Sequence, residues 1–113
     1  MISNTDLHWA AGYLEGEGCF YVRPSTNRSS MQARVTACST DIEPLDKLYK
    51  LFGGHVRLHR KGTSKTKPLY EWYVSTQTMA IGIMMTLYSL LSPRRQSKIK
   101  ECVARWKLAN SWQ

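Results

Sequence analysis

Residues 9–18, Trp-Ala-Ala-Gly-Tyr-Leu-Glu-Gly-Glu-Gly, constrain the fold of this chain more than any other segment. Gly12 and Gly16 are four residues apart and therefore lie on one face of a helix, where the absence of side chains lets a second helix approach closely. Glu15 and Glu17 follow at the end of this helix, where the flanking glycines are expected to relax the backbone. Pairing of two such helices would bring their acidic ends together, which is one way to build a metal site from two copies of a short chain.

The length and composition indicate a single domain that covers residues 1–113. A chain of 113 residues with 42% hydrophobic content can bury a core of its own. No apolar run is long enough for a membrane span, and the N-terminus lacks the basic and apolar regions of a secretory signal. Cys19, Cys38 and Cys102 are widely spaced, so neither a disulfide framework nor a zinc site is expected. We therefore expect an intracellular protein without a membrane partner, in the cytoplasm of a prokaryote or phage host or in an organelle matrix.

The positive charge of the chain is concentrated in long blocks that contain no acidic residue. The formal net charge is +8, with 16 Lys and Arg against 8 Asp and Glu. Residues 18–40 contain arginines but no acid, and residues 47–70 contain lysines and arginines but again no acid. Such a distribution indicates an anionic partner. A basic surface with a small cluster of acids, such as Glu15 and Glu17, is more typical of a metal-dependent enzyme that acts on a phosphodiester than of a merely soluble basic protein.

Hydrophobic periodicity and turn residues predict the element order α-β-β-α-β-β-α-α. In the first half of the chain, a helix capped by Asn4 or Thr5 ends near residues 16–18, and strands follow at residues 19–23 and 31–38. A second helix is capped by Thr40 or Asp41 and ends at residues 53–54, and it is followed by strands at residues 55–60 and 69–75. The chain then forms a helix at residues 76–91 and a final helix that begins at residues 92–93.

Alternating apolar and polar side chains along the strands indicate a sheet with one buried face. The residues predicted to point inward are Phe20, Val22, Ala33, Val35, Ala37, Val56, Leu58, Trp72 and Val74. The opposite face carries Arg, Lys, His, Gln and Tyr. We therefore predict an α+β fold, in which an antiparallel four-stranded sheet has helices on one face and a solvated, basic second face. A sheet face of this kind can lie in the major groove of DNA and read base edges.

Residues 10–18, Ala-Ala-Gly-Tyr-Leu-Glu-Gly-Glu-Gly, resemble the motif of the LAGLIDADG homing endonucleases. The α-β-β-α-β-β-α order that follows matches the repeat of that family, so the resemblance covers nearly the whole chain. One motif copy implies a homodimer whose axis runs between the motif helices, with Gly12, Tyr13 and Gly16 at the interface. The implied function is cleavage of both strands of double-stranded DNA at a long, roughly palindromic target, in intron or intein mobility.

The resemblance also implies roles for residues of the motif and of the last helix. Glu17 is the metal-binding acid, the carbonyl oxygen of Gly16 lies beside it, and Glu15 is a supporting acid. The implied cofactor is Mg²⁺, or another divalent cation such as Mn²⁺, shared between the subunits and the scissile phosphates; no small-molecule cofactor is implied. A basic residue at the start of the last helix approaches the active site, for which the candidates are Arg94, Arg95 and Lys98, with Arg95 favoured.

The residues predicted to contact DNA are outward side chains of the strands and residues of the loops that join them. They are Tyr21, Arg23, Arg28, Ser30, Gln32, Arg34, Thr36, His55, Arg57, His59, Lys61, Lys65, Lys67 and Tyr73. Basic side chains neutralise phosphates, and arginine and glutamine read base edges. The alternative is an ordinary solvated sheet face. Because no acidic residue is spaced to partner the histidines, a zinc site is not expected there.

The chain departs from the family pattern at two points. Both motif acids are Glu where Asp is more usual, so each carboxylate reaches one methylene further. Family members often carry a water-orienting polar residue near the end of the second strand, where this chain has Ala37, which leaves Thr36 or Ser39 for that role.

Three alternatives follow from the sequence. One is a non-cleaving relative, such as an intron-splicing maturase or a DNA-binding regulator. In another, Gly12 and Gly16 serve packing within one subunit instead of a dimer. A general RNA-binding module is the third, and it lacks the paired exposed aromatics on which bases stack.

Overall fold

The computed structural model describes residues 2–24 and 31–109 as a four-stranded sheet with four α-helices. The elements are α1 (Asn4–Glu17), β1 (Gly18–Pro24), β2 (Met31–Ser39), α2 (Ile42–Phe52), β3 (His55–Arg60), β4 (Leu69–Val74), α3 (Gln77–Leu87), a 3-10 turn (Tyr88–Leu90) and α4 (Pro93–Ala109). This order confirms the predicted arrangement of helices and strands. Within the described ranges, no helix has the length and apolar character needed to cross a membrane.

All strand pairs are antiparallel, and the strand order is β1-β2-β4-β3. Phe20 lies opposite Val35, which lies opposite Val74, so the apolar side chains of three strands share one face. That face is buried with the inner sides of the helices, whose fully buried residues include Leu14, Leu45, Leu48, Met84, Leu87 and Ile99. The predicted α+β fold, with helices on one face of an antiparallel sheet, is therefore confirmed.

The first helix is capped by Ser3, so the prediction of a cap at Asn4 or Thr5 was wrong. Ser3 has an extended backbone, and its hydroxyl oxygen accepts a hydrogen bond of 3.1 Å from the backbone N–H of Asp6. A serine that reaches the N–H three residues ahead satisfies one of the donors left free at a helix start. At the second helix, the predicted cap Asp41 accepts from the N–H of Glu43 at 3.1 Å.

The glycines at the end of the motif do not adopt a left-handed backbone, which corrects the expected reason for their presence. Among the described glycines, φ is positive only at Gly53 and Gly54, at the end of α2. Gly18 is instead needed for close approach, because a Cβ there would lie 2.7 Å from the carbonyl oxygen of Leu14. Its N–H donates to that same carbonyl, so the chain leaves α1 and enters β1 without an intervening loop.

Two further predictions about buried segments were wrong in part. Leu58 was predicted to point into the core but is 50% exposed, because the helix layer meets β3 mainly through α2 and the register of β3 shifts between Leu58 and Arg60. The helix predicted at residues 76–91 ends at Leu87 and tightens into the 3-10 turn. This turn allows both Leu87 and Leu91 to be buried before α4 begins.

Candidate active site and DNA-facing surface

Glu17 is the last residue of α1, and its side chain is exposed. Because β1 begins at the next residue, this carboxylate lies where the helix layer meets the edge of the sheet. Tyr13 lies one turn earlier and is half-buried. Burial raises the pKa of Tyr13, a hydrogen bond with Ser39 lowers it in part, and the negative charge of Glu17 raises it further. The motif thus ends in a carboxylate that faces solvent.

Glu15 is held in place by the segment that begins α4. Its Oε1 accepts a hydrogen bond of 2.8 Å from the backbone N–H of Ser92, and its Oε2 accepts one of 2.7 Å from the Ser92 hydroxyl. These two hydrogen bonds, the backbone bond first, lower the pKa of Glu15 below its ordinary value. Both oxygens of this carboxylate are therefore engaged in joining α1 to α4.

Arg95 completes the junction between these two helices. Its Nε and Nη2 donate to the backbone carbonyl oxygen of Glu15 at 3.2 and 2.9 Å, and the side chain is only 13% exposed. Its guanidinium also lies 5.8 Å from the ring centre of Phe20. Two acids at a helix C-terminus are opposed by the helix dipole, and α1 has no basic residue in its last turn. Arg95 supplies the missing positive charge from another helix.

We expect this junction to make stability depend on pH. The pKa of Glu15 is lowered in the folded state, so its stabilising effect is full above the unfolded pKa of about 4.3 and is lost as pH falls through the folded pKa. Replacing Ser92 with alanine removes one of the two donors and a helix cap, at a cost of about 1–3 kcal/mol near neutral pH and less in acid. Urea unfolding at both pH values measures this difference.

The matched control for this prediction is Ser97→Ala, which removes an exposed hydroxyl from the same helix. It is expected to leave the free energy of unfolding nearly unchanged at both pH values. Equal losses for the two variants, or a Ser92→Ala loss that does not shrink in acid, would contradict the assignment of the Glu15 contacts.

A cleft of about 380 Å³ opens beside this junction, between the start of β1 and the first turns of α4. It is lined by Cys19, Phe20, Arg94, Arg95, Ser97, Lys98 and Glu101. Arg94 and Lys98 are exposed, and the Lys98 ammonium lies 3.7 Å from the Glu101 carboxylate. All three basic candidates line the cleft, but Arg95 is bound to a backbone carbonyl, whereas Arg94 and Lys98 are exposed.

The glycines of the motif helix form an open face. A Cβ placed on Gly12 or on Gly16 would meet no heavy atom within 4 Å. Neither glycine is therefore required by packing within the described part of the subunit, which removes that alternative. Next to this face, the rings of Trp9 and Tyr13 stack with centroids 5.4 Å apart, and the Lys47 ammonium lies 4.4 Å from the Trp9 centroid.

The predicted outward side chains share one face of the sheet. Across the strands, Tyr21 lies opposite Arg34, Arg23 opposite Gln32, Thr36 opposite Tyr73, and Tyr73 opposite His55. Arg23, His55, Arg57 and His59 are exposed, as are Lys61, Lys65 and Lys67 in the loop that follows β3. The register thus brings the predicted strand residues onto one surface, while Arg28 and Ser30 lie outside the described residues.

Two of the predicted DNA contacts are buried in the middle of this surface. Arg34 is 9% exposed and Thr36 is also buried. The Arg34 guanidinium lies 5.3 Å from the ring centre of Tyr73, and within residues 2–24 and 31–109 its buried Nε has no hydrogen-bond partner. Arg34 therefore packs beneath its neighbours more than it projects from the sheet.

Glu71 is a residue of this face that the sequence analysis missed. Its Oε1 accepts from Nε and Nη2 of Arg57 at 2.9 and 2.7 Å, and it lies 3.8 Å from Nδ1 of His59. The expectation that no acid partners the histidines was therefore wrong, although the described residues contain no group of three or more His, Cys, Asp or Glu side chains placed to hold a metal. The alternation of Glu71 with the outward Tyr73 on β4 was the signal available in the sequence.

Ala37 points into the core, opposite Gly18 on one side and Trp72 on the other. Of the two substitutes suggested by the sequence, Thr36 is buried, and the Ser39 hydroxyl accepts a hydrogen bond of 2.9 Å from the N–H of Asp41. Cys38 is the outward residue of β2 at this point, and burial raises the pKa of its thiol.

The motif at the end of α1, the sheet order and the polar outer face can be compared with known proteins. The family model described as LAGLIDADG endonuclease matches residues 10–104. The chain belongs to the LAGLIDADG endonuclease family. The resemblance seen in the single motif is thereby confirmed. No curated protein sequence matches the chain.

Solved structures of homing endonucleases share this fold at low sequence identity. The structure of I-CeuI complexed with DNA is 14% identical, with a TM-score of 0.73 over 98% of this chain and 58% of that chain. I-CvuI in complex with its target is 20% identical, with a TM-score of 0.70 over 96% of this chain and 70% of that chain. I-GzeII in complex with a DNA target is 17% identical, with a TM-score of 0.75 over 99% and 39%. The chain thus spans less than two thirds of the first and third of these proteins.

Proposed function

We propose that this protein is a site-specific, divalent-metal-dependent endonuclease that acts as a homodimer on a long, roughly palindromic double-stranded DNA target. The observation that carries the proposal is the exposed Glu17 carboxylate, which ends a helix whose glycine face is open. Pairing of two such helices around a two-fold axis would set one carboxylate of each subunit beside the axis. Each strand of the antiparallel duplex would then meet an equivalent site.

The groups around Glu17 fit a hard divalent cation. Its carboxylate and the carbonyl of Gly16 are oxygen donors, which Mg²⁺ and Mn²⁺ prefer. Magnesium is usually bound by one or two carboxylates together with substrate phosphates, which agrees with a subunit that presents one exposed acid at this point. When bound, such a cation stabilises charge on the phosphate oxygens and lowers the pKa of a bound water.

In this proposal, Glu15 and Arg95 are positioning residues. Glu15 ties the end of α1 to Ser92, and Arg95 binds the Glu15 carbonyl, so the peptide that precedes Gly16 and Glu17 is held from two sides. Lys98 lies at the adjacent cleft, where its exposed ammonium supplies positive charge for a bound phosphate. Loss of either contact to Glu15 would let the carboxylate of Glu17 move relative to the substrate, which costs rate.

The outer face of the sheet is the proposed DNA-binding surface, with Gly12, Tyr13 and Gly16 at the proposed dimer interface. The exposed arginines and histidines of β1 and β3 and the lysines of the β3–β4 loop give this face its positive charge. The solved structures of I-CeuI, I-CvuI and I-GzeII contain DNA, which supports this assignment. The experiment that tests the function is selection of cleaved sites from a randomised duplex library with Mg²⁺. We expect a palindromic consensus that disappears with a chelator; metal-independent cleavage would contradict the proposal.

We expect DNA affinity to fall steeply as salt is added, because the lysines and arginines of the sheet face release counterions from phosphates. With about six phosphates neutralised, affinity should fall on the order of 10³-fold between about 50 and 200 mM salt. Replacing Lys65 with alanine should reduce the slope of log affinity against log salt by about one. Fluorescence anisotropy with a labelled duplex measures both.

Lys50→Ala is the matched control for this salt titration, since Lys50 is also exposed but lies in the last turn of α2. It should change neither slope nor affinity by more than a small amount. A flat salt response, or equal slopes for the Lys50 and Lys65 variants, would argue against the sheet face as the binding surface.

A further inference from the structure

Arg57 is an exposed basic residue of the sheet face whose guanidinium contacts both an acidic and an aromatic side chain. Its side chain is 54% exposed, yet two of its nitrogens are fixed: Nε and Nη2 both contact Oε1 of Glu71, at 2.9 and 2.7 Å. Glu71 is itself only 12% exposed and lies directly opposite Arg57 in the sheet. The hydrogen bond that Arg57 donates to the Glu71 carboxylate raises the pKa of Arg57.

The same guanidinium also packs over the ring of Tyr73. The Cζ atom of Arg57 lies 4.8 Å from the ring centre of Tyr73, and His55 stacks on that ring with a centroid distance of 5.2 Å. Arg34 packs against the ring as well, 5.3 Å from its centre, and is almost fully buried. The tyrosine is thus braced by its neighbours, and Arg57 is held by an ion pair along one edge and by an aromatic ring.

The contacts to Glu71 leave the outer edge of the Arg57 guanidinium free. Nη1 has no acceptor among the described residues, and Nη2 retains one hydrogen that Glu71 does not use. An arginine that presents two neighbouring N–H groups in a fixed plane matches the O6 and N7 acceptors of guanine, which is the commonest specific contact in the major groove. A flexible arginine would lose more entropy in making the same contact.

We infer that Arg57 reads a guanine in the major groove of each half of the target, with Glu71 and Tyr73 as the positioning residues that fix its guanidinium. This inference rests on the proposed function, because it requires the sheet face to lie in the groove. The dimer makes the guanine a symmetric pair, one on each side of the two-fold axis.

The test is selection of bound duplexes from a randomised library, separated by gel shift and sequenced, so that the readout does not depend on cleavage. Wild-type protein should enrich guanine at one symmetric pair of positions. Arg57→Ala should lower that preference by about 5- to 150-fold, which corresponds to the 1–3 kcal/mol of a bidentate arginine contact, and leave the other positions unchanged. Arg57→Lys keeps the charge but not the paired donors, so it should retain affinity and lose the preference.

The Glu71→Gln variant tests whether Glu71 positions the Arg57 guanidinium or only stabilises the folded protein. It removes a negative charge from a basic face, so affinity for random DNA should stay equal or rise while the guanine preference falls. Lys61→Ala, in the exposed loop after β3, is the control and should weaken binding to all sequences alike. Retention of the guanine preference in the Arg57→Ala and Arg57→Lys variants overturns the inference while the proposed function stands. Failure of the wild-type protein to enrich any sequence overturns both.

Discussion

Replacing Glu17 with glutamine is expected to abolish DNA cleavage while binding of the target stays within a few-fold of wild type. The amide has nearly the shape of the carboxylate but lacks the charge that holds a divalent cation. Metal assistance supplies several kcal/mol of charge stabilisation in the transition state, so the rate should fall by about 10³-fold or more. Single-turnover cleavage of a labelled duplex measures the rate, and gel shift measures binding.

Glu43→Gln is the matched control for this experiment. Glu43 is another exposed glutamate, in the first turn of α2, so its replacement removes one negative charge at a distance from the motif. It should cleave at nearly the wild-type rate. Equal cleavage by the Glu17→Gln variant and the wild type would refute the role of Glu17 as the metal-binding acid.

Alanine at Gly12 or Gly16 is expected to separate the dimer without harming the subunit. Neither position has a neighbour within 4 Å of an added Cβ, and alanine favours a helix over glycine by about 0.5–1 kcal/mol. The isolated subunit should therefore be as stable as before or slightly more stable. In the dimer, each substitution places two methyl groups at a close helix contact, and each methyl group is expected to destabilise the dimer by about 1–3 kcal/mol. The dissociation constant should therefore rise by at least about 30-fold per substitution.

Gly82→Ala is the control, because Gly82 lies in α3 and also has open space around its Cα. It should give the same helix stabilisation and leave the dimer unchanged. Sedimentation equilibrium measures association, and thermal unfolding at low protein concentration measures the subunit. If the Gly12 and Gly16 variants associate as tightly as Gly82→Ala, the motif helix is not the dimer interface, and cleavage should be unaffected as well.

Much of the fold was predictable because its signals are local. Alternating residues such as Phe20 and Val22 define the buried face of a strand, and a cap such as Asp41 defines a helix start, since both depend on neighbours a few residues away. The errors arose where another element decides the outcome. Leu58 alternates like a core residue but lies towards the end of β3, where it is half exposed, and no local pattern shows how far the helix layer extends over a strand.

In the candidate site, too, the local features were predictable and the contacts between distant residues were not. Glu17 and the two spaced glycines were evident from the motif itself. The contacts of Glu15 were not, because its partner Ser92 lies 77 residues further along the chain. Glu71 was missed because it directly follows an acid-free block, although the sheet register places it opposite Arg57. A composition pattern reports how much charge a segment carries and says nothing about which charges become paired.

The amino-acid sequence by itself determined the family, the order of helices and strands, and the placement of an acid at the end of the motif helix. These follow from short-range periodicity and from one contiguous motif. Only the tertiary structure decided that Glu15 is bound by Ser92, that Arg95 is engaged by a backbone carbonyl, and that Gly12 and Gly16 face open space. Such contacts join residues far apart in the chain, and they depend on how whole elements pack, which no local pattern encodes.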